Sequence, residues 1–199
     1  MAAEQTNPKK IRLFIAINLP KPIKDAIEDC RCKLAAQLDT KSVRWTCSEQ
    51  LHITLKFIGY ALQDAVIEIT SALQKACEGT APFRLKAERF GCFPRVRSPR
   101  VLWVGITGDI EPLLALQKRI DEATRQWAEP EKREFTPHLT LARLKEPRPK
   151  EVRTITQFIE ANEKTQFGEW DARQLDLMQS RLSPSGAIYT SVASVVLPP

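Results

Sequence analysis

Both histidines of this 199-residue chain begin the same four-residue pattern, and this repeat restricts the fold more than any other feature. His52 and His138 each open an H-x-T-L motif. With 14 Thr and 20 Leu in the chain, chance would place these residues after both histidines with a frequency of about 5 × 10⁻⁵. The repeat therefore indicates a duplicated local structure.

The spacing inside the motif fits a β-strand with one polar and one apolar face. Residues i and i+2 of a strand project to the same side, so His52 projects with Thr54, and His138 with Thr140. The alternate positions are apolar in both copies: Ile53, Leu55, Leu139 and Leu141. We expect each strand to bury its apolar face and to turn its histidine and threonine toward a shared cleft.

Hydrophobic periodicity around the motifs repeats in the same order. It predicts strands over 12–19, 52–58 and 83–87 with helices over 20–38 and 63–77, and then strands over 101–106 and from 138 with helices over 109–127 and 149–161. Asp109 is expected to cap the third helix, and three further strands are expected near 166–170, 173–180 and 187–197.

This order predicts an α+β fold: two pseudo-symmetric lobes of antiparallel sheet, with outer helices, around a central cleft that carries the two motifs. We expect one domain over 1–199, with lobes of about 1–95 and 96–199 between which strands can be exchanged. The stretch 93–100, rich in Pro and Arg, is expected to be the hinge between the copies.

Other roles for the histidines are less favoured by the sequence. A lone histidine is more often a satisfied core residue, but packing gives no reason to repeat the polar pair. A zinc site needs at least a third ligand, and neither histidine has a Cys or carboxylate at short metal-ligand spacing. A Ser-His-Asp triad uses only one histidine.

Composition sets broad limits on the class of protein. The chain has 43% hydrophobic and 27% charged residues, typical of a folded globular protein. It has neither a long apolar run nor an export signal at its polar start, so we expect a cytoplasmic protein without a membrane partner. The net charge of +6 favours a polyanionic partner, and the five irregularly spaced cysteines are expected to be reduced and mostly buried.

The sequence resembles a known family, the RNA 2′,3′-cyclic phosphodiesterases historically called 2′-5′ RNA ligases, within the two-histidine phosphoesterase superfamily. Besides both motifs, the resemblance rests on Trp45 and on residues 12–20, 57–59, 99–105, 135–137, 142–143 and 180–189. Two positions depart from the family pattern: Gln50 replaces a common Asn, and Tyr60 replaces a common acid.

The resemblance implies an enzyme that hydrolyses RNA 2′,3′-cyclic phosphate ends to 2′-phosphomonoesters. It implies His52 as proton donor and His138 as proton acceptor, with Thr54, Thr140 and Arg143 binding the phosphate and no metal or nucleotide cofactor. In-line opening of a cyclic phosphodiester independently needs one acid and one base, which two histidines can supply. In a regular strand Arg143, at +5 from His138, would fall on the opposite face.

Three alternatives remain open on the sequence: reversible 2′-5′ RNA ligation, hydrolysis of a cyclic nucleotide or ADP-ribose cyclic phosphate, and a non-catalytic RNA-binding module. The expected partner is RNA with a 2′,3′-cyclic phosphate end, bound by a monomer. Basic side chains would track its backbone, foremost those of Arg95, Arg97 and Arg100, supported by Arg84, Lys86 and Arg89. Phe90, Phe93 and Trp45 could stack on bases, although core packing is the commoner role of each.

Overall fold

The computed structural model describes residues 9–39, 42–183 and 186–199. Residues 1–8 of the polar start and residues 184–185 of the C-terminal flank, both used above, lie outside the described residues. The described strands are β1 (Lys10–Asn18), β2 (Val43–Trp45), β3 (His52–Leu62), β4 (Phe83–Phe93), β5 (Val101–Gly108), β6 (His138–Leu144), β7 (Gln166–Ala172), β8 (Gln174–Ser183) and β9 (Gly186–Val196). The helices are α1 (Lys21–Ala35), α2 (Ala65–Cys77), α3 (Ile110–Ala123) and α4 (Pro149–Ala161).

The nine described strands belong to one antiparallel sheet, with the order β7-β4-β5-β6-β3-β1-β8-β9 and with β2 added beside β6. Its apolar face and the helices form the main core. On β1, for example, Leu13, Ile15 and Ile17 are at most 1% exposed and belong to the same cluster as Ile27 of α1. An α+β fold with an antiparallel sheet is confirmed.

The stretch 93–100 connects two strands that pair with each other, β4 and β5, so it is the loop of a β-hairpin and not a hinge. Strands from the two halves of the sequence are interleaved: β7 lies beside β4, while β8 and β9 extend the sheet beyond β1. The prediction of a hinge was wrong because strand periodicity says nothing about pairing partners.

The third helix also differs from its prediction at both ends. Asp109 lies at its N-cap position, but the carboxylate does not cap the helix; it accepts a hydrogen bond from the Arg84 backbone N–H at 2.8 Å. The helix ends at Ala123 rather than at residue 127: Thr124 has left the helical conformation, with φ −104° and ψ 9°, and turns follow it.

Candidate active site

The two motif strands are neighbours in the middle of the sheet. β3 and β6 are paired at Ile53 and Leu139, which are both fully buried. Direct partners in an antiparallel ladder project to the same face. The four polar residues of the motifs therefore lie together on the other face, which we call the motif face: His52, Thr54, His138 and Thr140.

The leucine of each H-x-T-L motif occupies a β-bulge. The register between β1 and β3 skips Leu55, and the register between β5 and β6 skips Leu141. In both copies the bulged leucine and the residue that follows it, Lys56 or Ala142, are buried. An extra residue in one strand shifts the alternation of faces by one, so the residue at +5 from each histidine turns back to the motif face.

Arg143 reaches the motif face in this way. It is exposed, and its charge contributes to lowering the pKa of His138. In a regular strand, a residue five positions after His138 would project to the face opposite to His138. Arg143 does not, because of the bulge at Leu141. The corresponding residue of the first motif is Phe57, which is 55% exposed and whose ring lies 6.2 Å from that of Phe14.

Both imidazoles are oriented by the same main-chain contact. Nδ1 of His52 lies 2.7 Å from the carbonyl oxygen of Gln50, and Nδ1 of His138 lies 2.7 Å from that of Thr136. A carbonyl only accepts, so Nδ1 carries the proton and Nε2 is the nitrogen available to a ligand. Nε2 of His52 also lies 3.0 Å from the Thr54 hydroxyl.

Aromatic rings flank each imidazole. The rings of Phe14 and Tyr189 lie 4.9 and 5.3 Å from that of His52, and the ring of Phe93 lies 4.9 Å from that of His138. Phe14 and Tyr189 belong to flanks quoted for the resemblance, but no spacing signal in the sequence connects them with a histidine. Each imidazole is thus partly buried beside aromatic rings, two at His52 and one at His138.

Burial lowers the pKa of His52 from 6.5 to about 4, despite the opposing effect of the Gln50 carbonyl. Burial also lowers the pKa of His138, and the positive charge of Arg143 lowers it further. The charge of His138 is among the groups that act on His52, which places the two rings within electrostatic range of each other. In the ligand-free protein both imidazoles are therefore neutral at neutral pH.

Gln50 links the first motif to the hairpin formed by β8 and β9. Its side-chain amide donates a hydrogen bond to the carbonyl of Ala187, while its own carbonyl orients His52. The other departure from the family pattern, Tyr60, is 69% exposed and pairs with Arg12 of β1 at the rim of the motif face.

The basic residues noted in the sequence fall into two groups. Arg95, Arg97 and Arg100 are exposed on the hairpin loop that follows Phe93, and Arg95 donates to the Ser98 hydroxyl at 3.2 Å. The others form ion pairs: Arg84 and Lys86 with carboxylates of β7, and Arg89 with Glu88. These neutralised side chains are thus poor candidates for binding an RNA backbone.

The two remaining aromatic candidates are packing residues. Phe90 is 5% exposed and packs against Phe158 and Phe167. Trp45 is partly buried against the core, with the Arg31 guanidinium 5.2 Å from its ring centre. The buried ring of Phe90 is not available to stack on a base, and Trp45 already packs against the core and Arg31.

The cysteines are only partly buried, and the described residues contain neither a membrane-spanning helix nor a metal cluster. All five cysteines are free, but only Cys77 and Cys92 are buried, so the expectation of mostly buried thiols was wrong. No described helix has the length and apolarity needed to cross a membrane. No group of three or more His, Cys, Asp or Glu in these residues could hold a metal ion.

Comparison with known proteins shows the same family along most of the chain. A sequence model of the 2′-5′ RNA ligase superfamily matches residues 19–183. An RNA 2′,3′-cyclic phosphodiesterase of Methanocaldococcus jannaschii is 33% identical over 90% of this chain and 96% of its own length. One of Aquifex aeolicus is 29% identical over 95% of this chain and 98% of its own.

Solved structures share the fold of this chain. A protein of Thermus thermophilus superimposes with a TM-score of 0.75 at 26% identity, covering 94% of this chain and 98% of the other. LigT of E. coli in its apo form superimposes with a TM-score of 0.72 at 21% identity, covering 94% of this chain and 98% of the other. The family model over residues 19–183 and the 33% identity to the Methanocaldococcus jannaschii protein lead to one conclusion: the chain belongs to the 2′-5′ RNA ligase superfamily.

Proposed function

We propose that the chain hydrolyses RNA 2′,3′-cyclic phosphate ends and leaves a 2′-phosphomonoester. The observation that carries the proposal is the pair of imidazoles on one sheet face, each held by a main-chain carbonyl at Nδ1, so that Nε2 is the nitrogen left for proton transfer. Relatives that match over 90% or more of the chain are named RNA 2′,3′-cyclic phosphodiesterase. Two equivalent imidazoles on neighbouring strands suit an in-line displacement that needs a base and an acid on opposite sides of phosphorus.

The proposed reaction assigns one proton transfer to each histidine. Nε2 of His138 takes a proton from the attacking water as its oxygen bonds to phosphorus. The bond between phosphorus and O3′ breaks, and Nε2 of protonated His52 gives its proton to O3′. Thr54, Thr140 and Arg143 bind the non-bridging oxygens while negative charge accumulates on them. This scheme uses no metal ion.

The assignment of donor and acceptor has a consequence for proton uptake. Because burial lowers the pKa of His52 to about 4, the ligand-free protein lacks the proton that the donor needs. An anionic phosphate beside the imidazoles favours their charged forms and raises both pKa values. Binding of substrate should therefore be coupled to uptake of a proton from solution.

The test is to measure turnover of an oligonucleotide ending in 2′,3′-cyclic phosphate by His52→Gln and His138→Gln. Each variant lacks one of the two proton-transfer groups. Its turnover should fall by about 100-fold or more, because a general acid or base contributes on the order of 10²- to 10⁴-fold. Far-UV circular dichroism and product-end mapping serve as controls for folding and for the 2′-phosphate. Activity within about tenfold of wild type in either variant would refute the scheme.

A substrate with sulfur in place of O3′ distinguishes the two roles. A thiolate leaves without protonation far more readily than an alkoxide, so the donor variant should regain activity and the acceptor variant should not. We expect recovery in His52→Gln alone. Recovery in His138→Gln would reverse the assignment.

We also propose that the hairpin loop carrying Arg95, Arg97 and Arg100 contacts the RNA backbone. The loop follows Phe93, whose ring contacts His138, and its cations are exposed. Replacing all three by alanine should weaken binding of a long oligonucleotide, most strongly at low salt, while turnover of a mononucleotide cyclic phosphate stays the same. Unchanged oligonucleotide affinity across a salt titration would show that the loop only connects β4 and β5.

A further inference from the structure

Two arginines face each other across neighbouring strands beside the motif face. Arg44 of β2 is the direct partner of Arg143 of β6. Direct antiparallel partners project to the same face with their Cβ atoms about 4.5–5.5 Å apart, and like charges in this arrangement destabilise the pair. The sheet thus places a second guanidinium next to the one assigned to the reacting phosphate.

No protein carboxylate compensates for this repulsion in the described residues. Arg44 and Arg143 are both exposed, and neither forms an ion pair or a side-chain hydrogen bond within them. At the far edge of the same sheet the chain does compensate, since Glu169 of β7 pairs with both Arg84 and Lys86 of β4. An uncompensated pair of guanidinium groups is a site for an external anion.

Arg44 lies farther from the reacting centre than Arg143 does. The charge of Arg143 acts on His138, whereas Arg44 lies on β2, which pairs with β6 only at residues 142–144, the end of that strand opposite to His138. The Arg44 guanidinium instead extends toward the hairpin of β8 and β9, where a Cβ on Gly186 would lie 3.7 Å from its Nη2. The two cations therefore form a line that leads away from His138.

We propose that Arg44 binds the RNA phosphodiester that precedes the terminal cyclic phosphate. This inference rests on the proposed function, because it places the terminal phosphate beside Arg143 and continues the RNA chain from there. A guanidinium can donate two parallel hydrogen bonds to the non-bridging oxygens of a phosphodiester. Arg44 thereby gives the site a preference for oligonucleotides over mononucleotide cyclic phosphates.

The experiment compares three substrates. Adenosine 2′,3′-cyclic phosphate lacks the preceding phosphodiester, the dinucleotide ApA with a 2′,3′-cyclic phosphate end has it, and the same dinucleotide with a methylphosphonate linkage has it without charge. Arg44→Ala should lower kcat/KM for the charged dinucleotide by about tenfold or more, as expected for a lost charge-assisted hydrogen bond. Turnover of the mononucleotide and of the methylphosphonate should change by less than about twofold, which is within ordinary surface effects.

Two further variants serve as controls. Arg44→Lys keeps the charge without the two parallel donors and should restore part of the loss. Arg12→Ala removes an exposed cation of β1 that pairs with Tyr60 of β3, away from β2 and β6, and should leave the ratio of dinucleotide to mononucleotide turnover unchanged.

A binding titration separates this inference from the proposed function. With the dinucleotide that carries a 2′-phosphate, the slope of log Kd against log salt should decrease by about 0.7 in Arg44→Ala, the value for one contact with a single strand. Equal losses on all three substrates, or no loss on the charged dinucleotide, would overturn the role of Arg44. An inactive wild type would instead refute the proposed function, and the titration would still decide whether Arg44 binds the phosphodiester.

Discussion

His52 should make the folded protein less stable in acid, and the structure gives the size of the effect. Burial lowers its pKa to about 4 in the folded protein, whereas the unfolded chain has a value near 6.5. Below pH 6.5 the unfolded chain therefore binds a proton that the folded protein does not bind until the pH approaches 4. The free energy of unfolding therefore decreases as the pH falls from 6.5 to about 4. Above pH 6.5 the titration of His52 does not change it.

The pKa difference sets the magnitude of this destabilisation. At about 1.4 kcal/mol per pH unit, a fall from 6.5 to about 4 corresponds to a loss of about 3 kcal/mol. Against a total stability on the order of 5–15 kcal/mol for a domain, a loss of this size is easily measured.

Urea unfolding of the wild type and of His52→Gln between pH 7.5 and pH 4 isolates the contribution. The other titrating groups are common to both proteins and largely cancel in the difference. The variant lacks the buried imidazole, so its stability should fall with acid by about 3 kcal/mol less than that of the wild type. Parallel curves, or an NMR titration of the His52 ring with a midpoint near 6.5, would refute the reasoning.

Three other perturbations have defined outcomes. Excess EDTA should leave turnover of cyclic phosphate ends unchanged, and rescue of a chelated enzyme by a divalent ion would contradict the metal-free scheme. Lys56→Met leaves Asp121 without its ion-pair partner, so urea unfolding should show a loss of about 3–5 kcal/mol, largely restored when Asp121→Asn is added. Gly91→Ala places a Cβ inside the ring of Trp103, and urea unfolding should show a loss of about 1–3 kcal/mol from the overpacking.

The elements with strong periodicity could be predicted from the sequence. The helix over 149–161 begins and ends as expected, because Pro149 fixes its start and an amphipathic pattern runs to its end. The strand periods also identified both motif strands and the face on which each histidine lies. These features depend on neighbours along the chain, which a single sequence displays.

Features that depend on pairing between distant strands could not be predicted in the same way. The side on which Arg143 projects depends on a bulge whose only sequence signal is an apolar pair, Leu141 and Ala142, where alternation would place one polar residue. The partner of Arg44 is set by β2 joining β6, and nothing near Arg44 in the sequence indicates this. The prediction of a hinge at residues 93–100 was wrong for the same reason, since no local pattern indicated that β4 and β5 pair.

The main-chain contacts of the imidazoles affect how the site responds to mutation. The oxygens of Gln50 and Thr136 that orient the rings are present whatever side chain stands at either position. A site oriented by a carboxylate would lose that orientation through one substitution and would also lose it in acid. Here substitutions at residues 50 and 136 leave the orientation of both rings unchanged. The side chains at these positions can therefore evolve for other contacts, such as the one between the Gln50 amide and Ala187.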